Sequence, residues 1–164
     1  MIQLITSYLK FLWNSKNEHG VHSPFVFLLV TKCLYDKTTF KPYFSNLETL
    51  TKRGKLLNRL FHYFQFQEGI YLSENKKTTP SKVDFIYIDS HYLQANSMEL
   101  NSIIALANNE TCLIFEDPHY SKATEIQWKS VVANSNFNVT IDTYSFGFAF
   151  IRKEQVKEHF TIRV

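Results

Sequence analysis

Glycine and proline are both scarce, with four of each in 164 residues. No glycine forms part of a G-x-G-x-x-G turn after a strand pattern, and none flanks a serine or cysteine elbow. The usual phosphate-cradling loop and the hydrolase nucleophile turn are thereby excluded. Cysteine is scarcer still. Cys33 and Cys112 cannot build a disulfide framework, and neither has a cysteine neighbour at metal-ligand spacing. Both read as small buried apolar side chains, in keeping with a reducing cytoplasm. No apolar run approaches the ~20 residues of a membrane span. The N-terminal stretch lacks the basic leader and small-residue cleavage site of a signal peptide. Charged residues make up only 20% of the chain and the net charge is +3. The densest basic group, Lys52, Arg53, Lys55 and Arg59, is too short for the stripe that a nucleic-acid surface needs. These absences predict a soluble, cytoplasmic chain that binds neither nucleic acid nor membrane.

What the chain has in plenty is rings. Fifteen Phe and nine Tyr lift the aromatic share to 16% within a hydrophobic total of 45%, so much of the core is expected to be aromatic. The length predicts one domain, in which folding hides roughly 68–70% of the unfolded chain's surface.

Within residues 1–164 three segments are distinguishable. Residues 1–66 read as helical. Ile2, Ile5, Leu9, Leu12 and Trp13 recur at helical spacing. Ser23-Pro24 gives an N-cap followed by proline in the first turn, opening a helix through Phe25, Leu28, Leu29 and Lys32. Leu57, Leu60, Phe61 and Phe64 mark a third helix starting at Lys52. Residues 67–82 supply one short strand, Ile70-Tyr71-Leu72, and a polar connection containing Pro80. Residues 83–164 alternate strand and helix patterns. Val83 to Ile88 and Thr111 to Phe115 are near-continuous apolar runs, as in strands covered on both faces. Asn96 and Glu99 form a capping-box pattern before Leu100, Ile103 and Ile104, and Ser121 opens a further helix through Trp128, Val131 and Val132. Val139 to Tyr144 and Phe146 to Arg152 pair as a tight antiparallel unit. The pattern predicts an α/β fold with a mixed sheet.

Both buried strands run out into acids: Asp89-Ser90-His91-Tyr92 after the first, Glu116-Asp117-Pro118-His119-Tyr120 after the second. Ligands in an open α/β sheet sit beyond the carboxyl ends of the strands. Asp89, Glu116 and Asp117 would converge there, a donor set suited to a hard divalent cation such as Mg²⁺. His91 and His119 stand beside them as candidate general bases. Acids in this position also cap the following helix, and both roles stay open at this level.

The stretches His19-Gly20-Val21-His22-Ser23-Pro24-Phe25, Lys52-Arg53-Gly54-Lys55-Leu56-Leu57, Asp84-Phe85-Ile86-Tyr87-Ile88-Asp89 and Ile114-Phe115-Glu116-Asp117-Pro118-His119-Tyr120-Ser121-Lys122 together resemble one family. It is the class I S-adenosylmethionine (SAM) methyltransferases, in particular a bacterial O-methyltransferase-like subgroup. The closing Arg152-Lys153-Glu154-Gln155 and Glu158 to Arg163 are similar to that subgroup's C-terminus. The resemblance implies a partial Rossmann-like methyltransferase fold, with a reduced mixed sheet, a C-terminal antiparallel strand pair and N-terminal helices. It implies SAM as cofactor, Asp89, Glu116 and Asp117 as ligands of Mg²⁺ or a similar cation, and His91 and His119 near a small-molecule acceptor. The chain departs from the family between its third helix and the Asp84 strand. There the family has a strand with a glycine-rich turn and a second strand whose acid holds the SAM ribose. Here only Glu68 to Lys82 fills the interval, and each crossover alone needs a dozen residues or more. Two functions follow as expectations. One is a non-catalytic methyltransferase-like module, with a homo-oligomer or protein partner covering an exposed sheet edge. The other is an active metal-assisted O-methyltransferase with an unorthodox or dimer-shared SAM site. A metal-binding or hydrolytic role for the acid cluster is a third.

Overall fold

The computed structural model describes residues 2–45, 47, 49–72, 83–95 and 100–164. The polar connection at 73–82 and the Asn96/Glu99 capping box lie outside the described residues. The chain divides into two compact units, one made of residues 1–15 and 68–163, the other of residues 16–67 with Val164.

The smaller unit contains α2 (Pro24–Leu29), which runs on into a wider π turn over Val30–Leu34, and α3 (Lys52–Phe64). Ser23 caps α2 as its sequence implies, its Oγ accepting from Val26 N. The buried stripe is Val26, Leu29, Val30 and Cys33, while Leu28 is exposed. The stripe runs on from α2 into the wide turn without a break. Thr51 caps α3, and Gln65 ends it in the left-handed conformation. The irregular stretch before α3 is fastened by one buried side chain, Asn58. Its Oδ1 accepts from Tyr43 N at 2.8 Å, and its Nδ2 donates to the carbonyls of Phe40 and Lys41. These bonds give a segment without ladder partners the pairing that buried backbone requires. Burial pushes the Cys33 thiol up to about 12, which leaves it unreactive.

The larger unit is built on a six-stranded sheet. Its strands are β1 (Gly69–Leu72), β2 (Phe85–Ile88), β3 (Cys112–Glu116), β4 (Val139–Asp142), β5 (Phe146–Phe150) and β6 (Glu158–Thr161). They lie in the order β1-β2-β3-β5-β4-β6. β1, β2 and β3 pair in parallel; β5 pairs antiparallel with both β3 and β4; β4 pairs in parallel with β6. β5 therefore opposes all the other described strands. The α/β class, the mixed sheet and the C-terminal antiparallel pair are those the sequence predicts. β6 is additional: Glu158 to Thr161 carries no strand pattern, and only Phe160 within it is buried.

The register sorts side chains between the two faces. One row crosses the sheet as Leu72, Ile88, Phe115, Gly147, Asp142 and Thr161. The next reads Ile70, Ile86, Leu113, Ala149, Thr140 and His159. Residues two apart on a strand share a face, so both rows belong to the face over which Leu93, Ile103, Trp128 and Val131 complete a hydrophobic core. Those residues come from α4 (Ser90–Ala95), α5 (Leu100–Ile104) and α6 (Lys122–Ala133). At Gly147 a Cβ would meet the Trp128 ring at 2.7 Å. The absence of a side chain there lets the indole lie against the strand. Ser121 caps α6 in a reciprocal capping box with Thr124.

α1 (Ile2–Asn14) belongs to the same unit but turns a face to it that its apolar pattern does not mark. Ile5, Leu9 and Trp13 are exposed, Trp13 by 90%, whereas Phe11 is 5% exposed. The reason lies in what Tyr144 offers. Its hydroxyl meets Ser7 Oγ at 3.1 Å, and its ring sits 4.9 Å from Tyr8 and 5.4 Å from Phe11. Polar and ring contacts on the Ser7–Phe11 side thus outweigh the aliphatic stripe. No helix among the described residues is long and apolar enough to cross a membrane.

Candidate functional site

The acids at the strand ends divide between two places. Asp89 follows β2 and caps α4, a helix that begins at Ser90, ahead of the expected Asn96. Its Oδ1 accepts from His91 N at 2.6 Å, and its Oδ2 accepts from the Tyr71 hydroxyl at 3.3 Å. Burial, then the charges of Asp89 and Glu116, push the Tyr71 phenol up to about 12. Asp89 and Glu116 thus do gather, around a tyrosine of β1 whose ring stacks on Tyr87 at 4.9 Å. His91 stands exposed on α4 and contributes its backbone N–H to the cap.

Asp117 adopts a left-handed backbone at φ 44°, with its N–H donating to Ser145 O. That conformation is tolerated by Asp more than by most residues. It reverses the chain directly after β3 and buries Pro118. Among the described residues no three His, Cys, Asp or Glu side chains gather as a metal-holding group.

His119 enters a different cluster, around Asp142. Asp142 ends β4 at 5% exposure, the one charge in an otherwise apolar and small-residue row. Its carboxylate is held from three sides. His119 Nε2 bonds Oδ2 at 2.7 Å, Trp128 Nε1–H donates to Oδ2 at 3.2 Å, and Tyr144 N–H donates to Oδ1 at 2.8 Å. The other imidazole nitrogen of His119 stands 3.6 Å from Glu125 Oε1, and its ring stacks on Tyr144 at 5.1 Å. Burial of the ring works against its charge. The Asp142 hydrogen bond and charge, with Glu125 behind them, outweigh that effect and raise the pKa of His119. A carboxylate thus stands toward each nitrogen of the His119 ring and fixes its orientation.

No family model, curated protein or solved structure matches this chain.

The Asp142 cluster forms one wall of a cavity of about 500 Å³ within the larger unit. α1 contributes Lys10 and Phe11, α6 contributes Glu125, Trp128, Lys129 and Val132, and β6 contributes His159 and Thr161. His159 is fixed by its neighbour in the same cross-strand row, Thr140, whose Oγ1 lies 2.9 Å from Nδ1. Of these residues only His119 stands out in the sequence as a site candidate. Asp142 hides in a strand, Val-Thr-Ile-Asp, and its signal is a charge at a position buried like its three predecessors.

A pH dependence follows with a definite sign. A histidine whose pKa is raised by folding stabilises the protein fully below its unfolded value of about 6.5. That contribution is lost as pH rises through the folded value. The groups facing His119 are Asp142, Glu125 and Tyr144, with Lys10, Lys129 and His159 around the same cavity. The stability difference between wild type and His119→Gln, followed by urea unfolding, is expected to shrink as pH rises above that value. A difference independent of pH would show that the ring contributes by packing alone.

Proposed function

We propose that this chain is a methyltransferase-type scaffold that acts by binding, without methyl transfer, and that a second copy or a protein partner covers the β1 end of its sheet. The observation that carries it is the shortness of the interval between β1, which ends at Leu72, and its parallel neighbour β2, which begins at Phe85. Twelve residues separate those strands, where the resembled family needs two further strands and their crossovers. Three parallel strands followed by an antiparallel pair are the other support for the resemblance. The strands that would flank β1 in that family have no counterpart among the described residues, so β1 forms one end of the described sheet. Unpaired sheet ends invite pairing with another chain.

Isothermal calorimetry with SAM, with and without Mg²⁺, tests the first half. No heat is expected at about 1 mM SAM from protein shown to be folded by circular dichroism. A micromolar dissociation constant, about −8 kcal/mol, would restore the enzyme. Light scattering on the same sample tests the second half: an oligomer is expected, and a strict monomer with no captured partner would remove that part of the proposal.

A further inference from the structure

We propose that the cavity between α1, α6 and the β4–β6 end of the sheet binds a small monocarboxylate with an apolar, ring-sized body. This inference stands apart from the methyltransferase-type reading, since nothing in it draws on SAM or on the acids at the ends of β2 and β3.

The size comes first. A cavity of about 500 Å³ lies within the range of small-molecule sites, which pair apolar walls with a few convergent polar groups. Here the apolar part is Phe11 from α1 with Trp128 and Val132 from α6. Both rings are nearly buried, Phe11 at 5% and Trp128 at 3% exposure, so they form a wall rather than a mobile flap.

The sign of the ligand's charge follows from which lining groups are already satisfied. The Asp142 carboxylate receives His119, the Trp128 indole and the Tyr144 N–H. Glu125 stands between His119 at 3.6 Å and Lys129 at 4.0 Å. Neither acid has a deficit of positive partners, so a cationic ligand gains little. The donors have capacity to spare. An ammonium carries three N–H groups; Lys129 directs one toward Glu125 and remains largely exposed, and Lys10 faces the same cavity from α1. His159 uses Nδ1 on Thr140, and its Nε2 is the nitrogen not engaged there. Two ammonium groups on opposite helices and an imidazole on the adjoining strand suit one carboxylate, through charge-assisted hydrogen bonds.

The chain provides its own reporter. It has two tryptophans, Trp13, which is 90% exposed, and Trp128 in the cavity wall. In a Trp13→Phe background the emission belongs to Trp128 alone. Titration with phenylacetate is expected to change that emission saturably, whereas benzyl alcohol and benzylamine are expected to bind at least about tenfold more weakly. Lys10→Gln combined with Lys129→Gln, both at the surface, should weaken phenylacetate by about tenfold or more. Val132→Phe, which fills the cavity, should abolish the response in protein whose far-ultraviolet dichroism is unchanged. Three results would overturn the proposal: no saturable change up to about 10 mM phenylacetate, benzylamine binding as tightly as phenylacetate, or binding indifferent to both the lysine and the Val132 changes. If Val132→Phe does not fold, the lysine pair and the three-ligand comparison decide the matter.

Discussion

Replacing Asp142 by alanine is expected to destabilise the protein by about 3–5 kcal/mol, the cost of breaking a buried pair and leaving one partner charged. The carboxylate is the meeting point of three donors from three places in the chain: His119 before α6, Trp128 within α6, and the Tyr144 backbone at the β4–β5 turn. Removing it leaves the Trp128 indole N–H and the His119 ring, beside Glu125, without their partner. Tyr144 is held at φ 70°, a conformation uncommon for a residue with a large side chain, and the bond from its N–H to Asp142 is part of what holds it. Loss of Asp142 therefore also loosens the ring against which Ser7, Tyr8 and Phe11 of α1 pack. Asp142→Asn separates charge from shape, because the amide oxygen still accepts while the charge is gone. Its penalty should fall between wild type and alanine. Urea unfolding gives both numbers. A loss under about 1 kcal/mol for the alanine variant, the size of one ordinary hydrogen bond, would mean that the cluster is not an energetic centre.

The second large effect is expected at Trp128. Truncation to alanine should cost about 3–5 kcal/mol, as for other large aromatic side chains removed from a core. The indole lies 5.4 Å from the Phe115 ring and against the bare backbone of Gly147, while its N–H reaches Asp142. It thus links the apolar row of the sheet to the charged cluster. Trp128→Phe keeps most of the ring and loses the N–H, leaving Asp142 with two donors. Gly147→Ala approaches the same contact from the sheet side. A methyl group would meet ring carbons at 2.7 to 2.9 Å, and the forced shift should cost about 1–3 kcal/mol. The two sites are coupled in a checkable way. In the Trp128→Ala background the Gly147→Ala penalty should largely disappear, since the clashing partner is gone. Additive penalties in the double variant would show that Gly147 is needed for its backbone and not for the space above it.

How far the sequence announces this structure depends on which force decides each element. β2 and β3 are legible because Phe85 to Ile88 and Cys112 to Phe115 are apolar on both faces, and only a covered strand tolerates that. The β4–β5 pair is legible from two β-prone runs with a short break. β6 is not, since its pairing with β4 rests on backbone bonds and one buried residue, Phe160. The orientation of α1 is misread from its aliphatic spacing, because the contacts that turn it involve Tyr144, far away in sequence. At the strand ends the residue types are informative and their grouping is not. Asp89 and Glu116 do come together, but around Tyr71, which no spacing rule connects to them. His119 is separated from them by the reversal at Asp117 and finds its partner in Asp142, a residue that a strand pattern conceals. Long-range pairings of this kind are set by topology, and a linear pattern carries no record of them.

The reversed strand β5 has a consequence for assembly. It lies between β3 and β4, and all five of its residues are buried. Parallel neighbours formed earlier in the chain, β1 to β3, cannot meet β4 and β6 until β5 has been laid between them. The hairpin of β4 and β5 is local and can zip without help, but its docking on β3 is a long-range closure. On a ribosome, a chain synthesised only through β4 would hold the lateral groups of β3 open to whatever strand came by. That edge of β3 thus stays open from the synthesis of β3 itself until Phe150 has been added.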